Sequence, residues 1–189
     1  MGIDLSRVRR ILRATGAPES ALAGLKWPFG RQRRLYALLR RRLAVLEGKN
    51  AVVDLLFRSQ MPLAQHELYQ VEQVAGANQD PEIRRLVLAL GLTRRDIAAQ
   101  LSPKFGPEVI ESLDQTLTEL IREGVVLCLT AKDVSARDDL YLAVFRGPRP
   151  HYDVSDLAKL LRQVGTPGAH LRQRSHREST TDSSRSYDL

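Results

Sequence analysis

Pro81 to Phe145, PEIRRLVLALGLTRRDIAAQLSPKFGPEVIESLDQTLTELIREGVVLCLTAKDVSARDDLYLAVF, is the stretch that decides the fold. A helix can begin after Asp80-Pro81, because Asp caps well and Pro suits the first helical position. Ile83, Leu86, Val87 and Leu90 then recur at helical spacing. Gly91 ends the run as a left-handed cap residue would. Thr93 opens the next helix, with Asp96 three residues on as in a capping box, and Ile97, Ala98 and Leu101 as its apolar side. SPKFGP, 102–107, is a loop. Pro107 starts a third helix whose stripe is Val109, Leu113, Leu117, Leu120 and Ile121, and Gly124 stops it. VVLCLT (125–130) and LYLAVF (140–145) flank a polar loop, Ala131 to Asp139, which predicts a β-hairpin.

The run LTRRDIAAQL, followed by VIESLDQTLTELIREGVVLCLT, resembles winged-helix domains over about a third of the chain. The resemblance implies that Gly124 links the third helix to the wing. In DNA-reading members of that group the third helix enters the major groove. Here that helix carries Glu108, Glu111, Asp114, Glu119 and Glu123 against Arg122 alone. Phosphates would repel such a helix. The wing loop sets Lys132 and Arg137 against Asp133, Asp138 and Asp139. This domain therefore reads equally well as a scaffold or protein-contact module. Its clustered positives are Arg84, Arg85, Arg94, Arg95 and Lys104, each of which suits ordinary solvated surface; Lys104 also precedes a helix start, a place suited to one phosphate.

A chain of 189 residues holds one domain with appendages, or two small ones. The net charge of +7 is uneven: residues 1–46 hold eleven Lys and Arg against two acids, residues 47–145 ten against fifteen, and residues 146–189 eight against five. The basic charge thus lies outside the apparent winged helix and points to an acidic partner, nucleic acid being the commonest. One cysteine, Cys128, excludes an internal disulfide and fits a reducing compartment. No apolar run approaches a membrane span, and the N-terminus shows no signal-peptide core. A cytoplasmic protein is expected, nucleoid-associated if it binds DNA.

Arg31 to Leu46, RQRRLYALLRRRLAVL, is the strongest helix signal. Leu35, Leu38, Leu39, Leu43 and Leu46 make one face. Arg33 and Arg40 lie on one flank and Arg34 and Arg41 on the other, while Arg31 and Arg42 sit nearer the apolar arc with their stems along it. The helix is amphipathic and basic, and its outer side is a solvated arginine face, a nucleic-acid contact, or a contact with an acidic protein or a membrane surface. Before it, Ile3, Val8, Ile11 and Leu12 mark a first helix, Ser20–Leu25 a helical turn, and Trp27 and Phe29 a bend anchored to a core. The start MGIDLS also fits the N-myristoylation pattern at Gly2, which a capped helix explains as well.

Asn50 to Arg58 and Leu63 to Val74 read as a helical pair packed on the core, with a faint echo of a second helix-turn-helix, and 76–81 as a linker. Asp153 caps a last helix, with Val154, Leu157, Leu160, Leu161 and Val164 apolar, suited to docking or dimerisation. The tail from Thr166 is polar and expected to be disordered. The organisation expected is a basic segment (1–48), a helical pair (49–78), a winged helix (79–147), a connector with short helix (148–165) and a tail (166–189). The fold class is mainly α, with a small β-hairpin wing.

There is no phosphate-binding Gly loop, G-x-S-x-G or H-E-x-x-H. His66, His151, His170 and His176 with one Cys give no zinc spacing, and no nucleophile lies beside His151. No enzyme, cofactor or metal is expected. The leading expectation is a DNA-associated regulator that binds double-stranded DNA with low sequence specificity. Its contacts would be Arg31, Arg33, Arg34, Arg40, Arg41, Arg42, Arg94, Arg95 and Lys104. The alternative is an interaction module whose acidic winged helix docks on a protein partner in a chromosome-organising or transcription assembly. A homodimer is a further expectation, and membrane association trails all of these.

Overall fold

The computed structural model describes residues 4–26, 30–60, 81–131, 136–144 and 148–165. It is mainly helical: α1 (Leu5–Ala14), α2 (Glu19–Ala23), a 3-10 turn (Gly24–Lys26), α3 (Arg31–Gln60), α4 (Pro81–Leu90), α5 (Arg94–Leu101), α6 (Pro107–Glu111), α7 (Leu113–Arg122) and α8 (Ser155–Val164). Three short strands, β1 (Leu92–Thr93), β2 (Val126–Leu129) and β3 (Leu140–Ala143), form an antiparallel sheet in the order β1-β3-β2. The chain divides into two compact units, Met1–Leu43 with Ser155–Leu189, and Ala44–Val154. α3 supplies residues to both.

In the first unit Asp4 caps α1. Its Oδ1 accepts from the Ser6 and Arg7 N–H groups at 2.9 and 3.3 Å. Val8 and Leu12, one turn apart, are fully buried. Gly16, at φ 81°, closes the helix: its N–H reaches the Arg13 carbonyl, and the Ala17 N–H reaches that of Leu12. Two reversed bonds of this kind satisfy carbonyls the helix leaves open. α8 packs on α1 and buries Leu157, Leu160 and Val164, and the Gln32 amide donates to the Val164 carbonyl at 3.0 Å. Of the apolar stripe read as a docking or dimerisation face, Leu157, Leu160 and Val164 are covered within the chain.

The second unit has its core between α3, α5, α7 and the sheet: Val52, Val53, Leu56, Ile97, Leu101, Leu113, Leu117, Leu120, Val126 and Ala143. The sheet is apolar on both faces because side chains alternate along a strand. Tyr141 and Ala143 of β3 turn to this core, whereas Leu140 and Leu142 meet Val87 of α4 in a second cluster. Thr93 and Asp96 form a complete capping box at the start of α5. Gly124, at φ 70°, ends α7 with the same pair of reversed bonds as Gly16.

Several expectations are corrected. The helices expected at Arg31–Leu46 and Asn50–Arg58 are one, since α3 runs unbroken from Arg31 to Gln60. Gly48 lies inside this helix and makes room for Thr116 of α7: a Cβ at 48 would lie 2.9 Å from its Oγ1. Gly91 is not among the glycines with positive φ; it is small because a Cβ would meet the Val87 carbonyl at 2.8 Å and Leu140 at 3.0 Å. The single third helix is divided at Ser112, whose backbone (φ −85°, ψ 1°) leaves the helical range while its hydroxyl donates to the Val109 carbonyl. β1 was not expected. The expected helix at 63–74, the linker 76–80, Trp27 and Phe29, the tip 132–135, Gly2 and the tail from 166 lie outside the described residues.

Candidate functional site

The buried seam of α3 positions the arginine face. Leu35, Leu39, Arg42, Leu46, Lys49, Val53, Leu56 and Gln60 follow one another at alternating spacings of four and three, and all are buried. This is the heptad spacing that holds one face of a helix against its neighbours. With that face committed, Arg33, Arg34, Arg40 and Arg41 are exposed on other sides of the helix, and Arg31 is half-buried. Arg33 to Arg40 and Arg34 to Arg41 each span two turns, about 10.5 Å along the axis. No acid stands in the first turn of α3. Arg7 and Arg10 of α1, in the same unit, are also exposed.

Arg42 departs from the expectation, being only 4% exposed. It occupies a seam position, and its guanidinium lies where a Gly16 Cβ would come within 2.9 Å of it. A cation beside the C-terminal end of α1 is favoured by the helix dipole. The same location takes Arg42 off the surface. In the second unit Arg94 is exposed but clasps Asp114 with both ends of its guanidinium, one contact being Nη2 to Oδ2 at 3.0 Å. This bond holds the Asp114 carboxyl below its ordinary range and raises Arg94. Arg95 and Lys104 are exposed.

The third helix is less acidic outwardly than its sequence suggests. Glu119 is buried, with Oε2 2.7 Å from Lys49 Nζ, and Glu123 Oε1 lies 2.6 Å from the same atom. Lys49 is 1% exposed and stands over the Tyr152 ring, 4.8 Å from its centre. The Tyr152 hydroxyl donates to Glu123 Oε2 at 2.7 Å. Burial, then this carboxylate, raises the Tyr152 phenol. The Gln115 amide donates to Glu119 Oε1 at 3.1 Å. Asn50 completes the arrangement: its amide donates to the Tyr152 carbonyl at 2.8 Å, and its Oδ1 accepts the Tyr152 N–H at 2.9 Å.

Lys49, Glu119 and Asn50 were missed as a set because the apolar face of α3 was followed only as far as Leu46. The signal available was the seam itself, which continues from Leu46 to Lys49 and Val53 at the same spacing. A lysine in such a seam requires a buried acid from a facing element. Chemically the cluster is a closed ion pair rather than a reactive centre. Among the described residues no three His, Cys, Asp or Glu side chains come together as metal ligands. None of their helices is long and apolar enough to cross a membrane. Comparison with protein-family models, with curated proteins and with solved structures finds no match to the chain.

Proposed function

We propose that this chain is a non-enzymatic winged-helix protein that associates with double-stranded DNA through the exposed arginines of α3. The observation that carries the reading is a helix committed to packing along one seam while Arg33, Arg34, Arg40 and Arg41 stand outside it. Guanidinium groups suit phosphate, which they meet in a planar fork. The winged-helix reading is supported by the order helix, strand, helix, a third helix divided at Ser112, strand, strand over residues 81–143 and by the strand order β1-β3-β2. The α6–α7 segment is not the proposed contact. Its exposed cation is Arg122, set against exposed Glu111, Asp114 and Glu123. Phosphate contacts position a protein without reading bases, so binding is weakly sequence-specific. In a salt titration with two unrelated duplexes, four phosphate contacts give a slope of log affinity against log salt of about −3.6, similar for both. Absence of binding at low salt refutes the proposal.

A second reading has its own observation. Leu88 and Ile121, both in the second unit, are 43% and 38% exposed. Glu111 of the same unit is also exposed, and apolar and acidic side chains on one unit suit docking on a protein partner. Loss of a captured partner on Ile121→Lys, with DNA binding unchanged, would identify that role.

A further inference from the structure

Ala37 is the one small side chain between Arg31 and Leu43, and it is exposed. Arg33, Arg34, Arg40 and Arg41 stand at −4, −3, +3 and +4 from it. Residues at those offsets are the nearest neighbours on a helix surface, with Cβ atoms about 5–6 Å apart. The four exposed arginines outside the buried seam therefore form one group around a methyl. Long helical side chains lean toward the N-terminus. Arg34 does so: its Nη1 would lie 3.4 Å from a Cβ at Gly30, one turn back. The same lean brings Arg40 and Arg41 over the turn that holds Ala37. No acid occurs in α3 before Glu47. Ala37 and the four arginines all belong to the first compact unit.

We propose that Ala37 is where α3 touches the DNA backbone: a deoxyribose packs on its methyl, and the four arginines take the phosphates on either side. The inference rests on the reading that α3 binds duplex DNA, and adds to it a contact residue that carries no charge. The backbone alternates in the same way as this face. Each sugar is a patch of carbon between phosphates, and here a methyl lies between two pairs of guanidinium groups. A short side chain matters because ionic attraction weakens with distance, and a guanidinium fork bonds phosphate only at hydrogen-bond range. A larger side chain at 37 holds the backbone off the helix, and the arginines then reach it singly rather than together. Leucine is nearly as good a helix former as alanine. At this exposed position Ala37→Leu therefore keeps the helix and changes only the height of its surface.

The test is a salt titration with two unrelated duplexes on full-length chains. It compares the parent, Ala37→Leu, Ala37→Ser, and a variant with Arg33, Arg34, Arg40 and Arg41 each changed to Gln. Circular dichroism should show the parent's helix content in all of them. Ala37→Leu should weaken binding to both duplexes and flatten the slope of log affinity against log salt by about 0.9–1.8, the loss of one to two phosphate contacts. Ala37→Ser, still small, should match the parent. Parent affinity and slope in Ala37→Leu, or equal losses in Ala37→Leu and Ala37→Ser, overturn the contact at Ala37. Weakened binding by the arginine variant then leaves the α3 reading standing. A parent that does not bind, or an arginine variant that binds as the parent does, overturns both.

Discussion

Lys49 shows how one residue can tie two helices to each other. Its ammonium is buried between Glu119 and Glu123, where it neutralises a carboxylate that has little water around it. Lys49→Met leaves Glu119 buried without its cation, which costs about 3–5 kcal/mol in urea unfolding. The variant should regain stability as the pH falls: a carboxyl whose folded-state pKa is raised binds its proton more tightly when folded. Lys49→Met combined with Glu119→Gln should recover much of the loss. The natural chain contains milder cases of both signs. Burial and then the charge of Glu108 raise Glu47. Its ionised form therefore opposes folding above the ordinary carboxylate range, and Glu47→Gln should raise stability at neutral pH. Asp114 is lowered by Arg94. Its contribution is present above its unfolded pKa and lost as pH falls through the folded one, so Asp114→Asn should flatten the acid limb of the stability profile. Gly48 adds a steric test. Gly→Ala inside a helix ordinarily stabilises by about 1 kcal/mol, but here the new methyl meets Thr116 at 2.9 Å. Gly48→Ala should destabilise by about 1–3 kcal/mol, and Thr116→Ala in the same chain should remove that penalty.

At the scale of the elements, local chemistry sets the boundaries and packing overrides it at a few places. Thr93→Ala removes a complete capping box and should cost about 1 kcal/mol in thermal or urea unfolding, with Thr93→Ser close to the parent. That box was legible in the sequence, as were the stop at Gly124, the hairpin strands and, of the leucine face of α3, Leu35, Leu39 and Leu46 but not Leu38 and Leu43, which are half-buried; each depends on residues close in the chain. Gly48 and Gly91 were misread for a shared physical reason. Glycine signals either an unusual backbone or a close neighbour, and only tertiary structure decides; here Thr116 and Leu140 are the neighbours. β1 was invisible because two residues carry no alternation. The arginine face was legible, since Arg33, Arg34, Arg40 and Arg41 avoid the seam. Burial of Arg42 was not, because it depends on the end of α1 at Gly16. The acidity of the third helix was overestimated for the same kind of reason: the cation that neutralises Glu119 lies seventy residues earlier in the chain.

For the whole molecule, charge is divided more sharply than sequence order suggests. The exposed arginines of α3 belong to one compact unit, and the helices α4 to α7 with the sheet belong to the other. On the proposed reading, the first unit holds nucleic acid and the second remains available to a partner. The central claim is that α3 arginines meet phosphates, and its most direct test compares the parent with a chain carrying Arg33→Gln, Arg34→Gln, Arg40→Gln and Arg41→Gln. None of the four lies in the buried seam, so circular dichroism and unfolding midpoint should stay near those of the parent. Affinity for duplex DNA should fall alike for unrelated sequences, and the salt slope should flatten by about 3.6, the loss of four phosphate contacts. A quadruple variant that binds as tightly as the parent, with the same slope, contradicts the account.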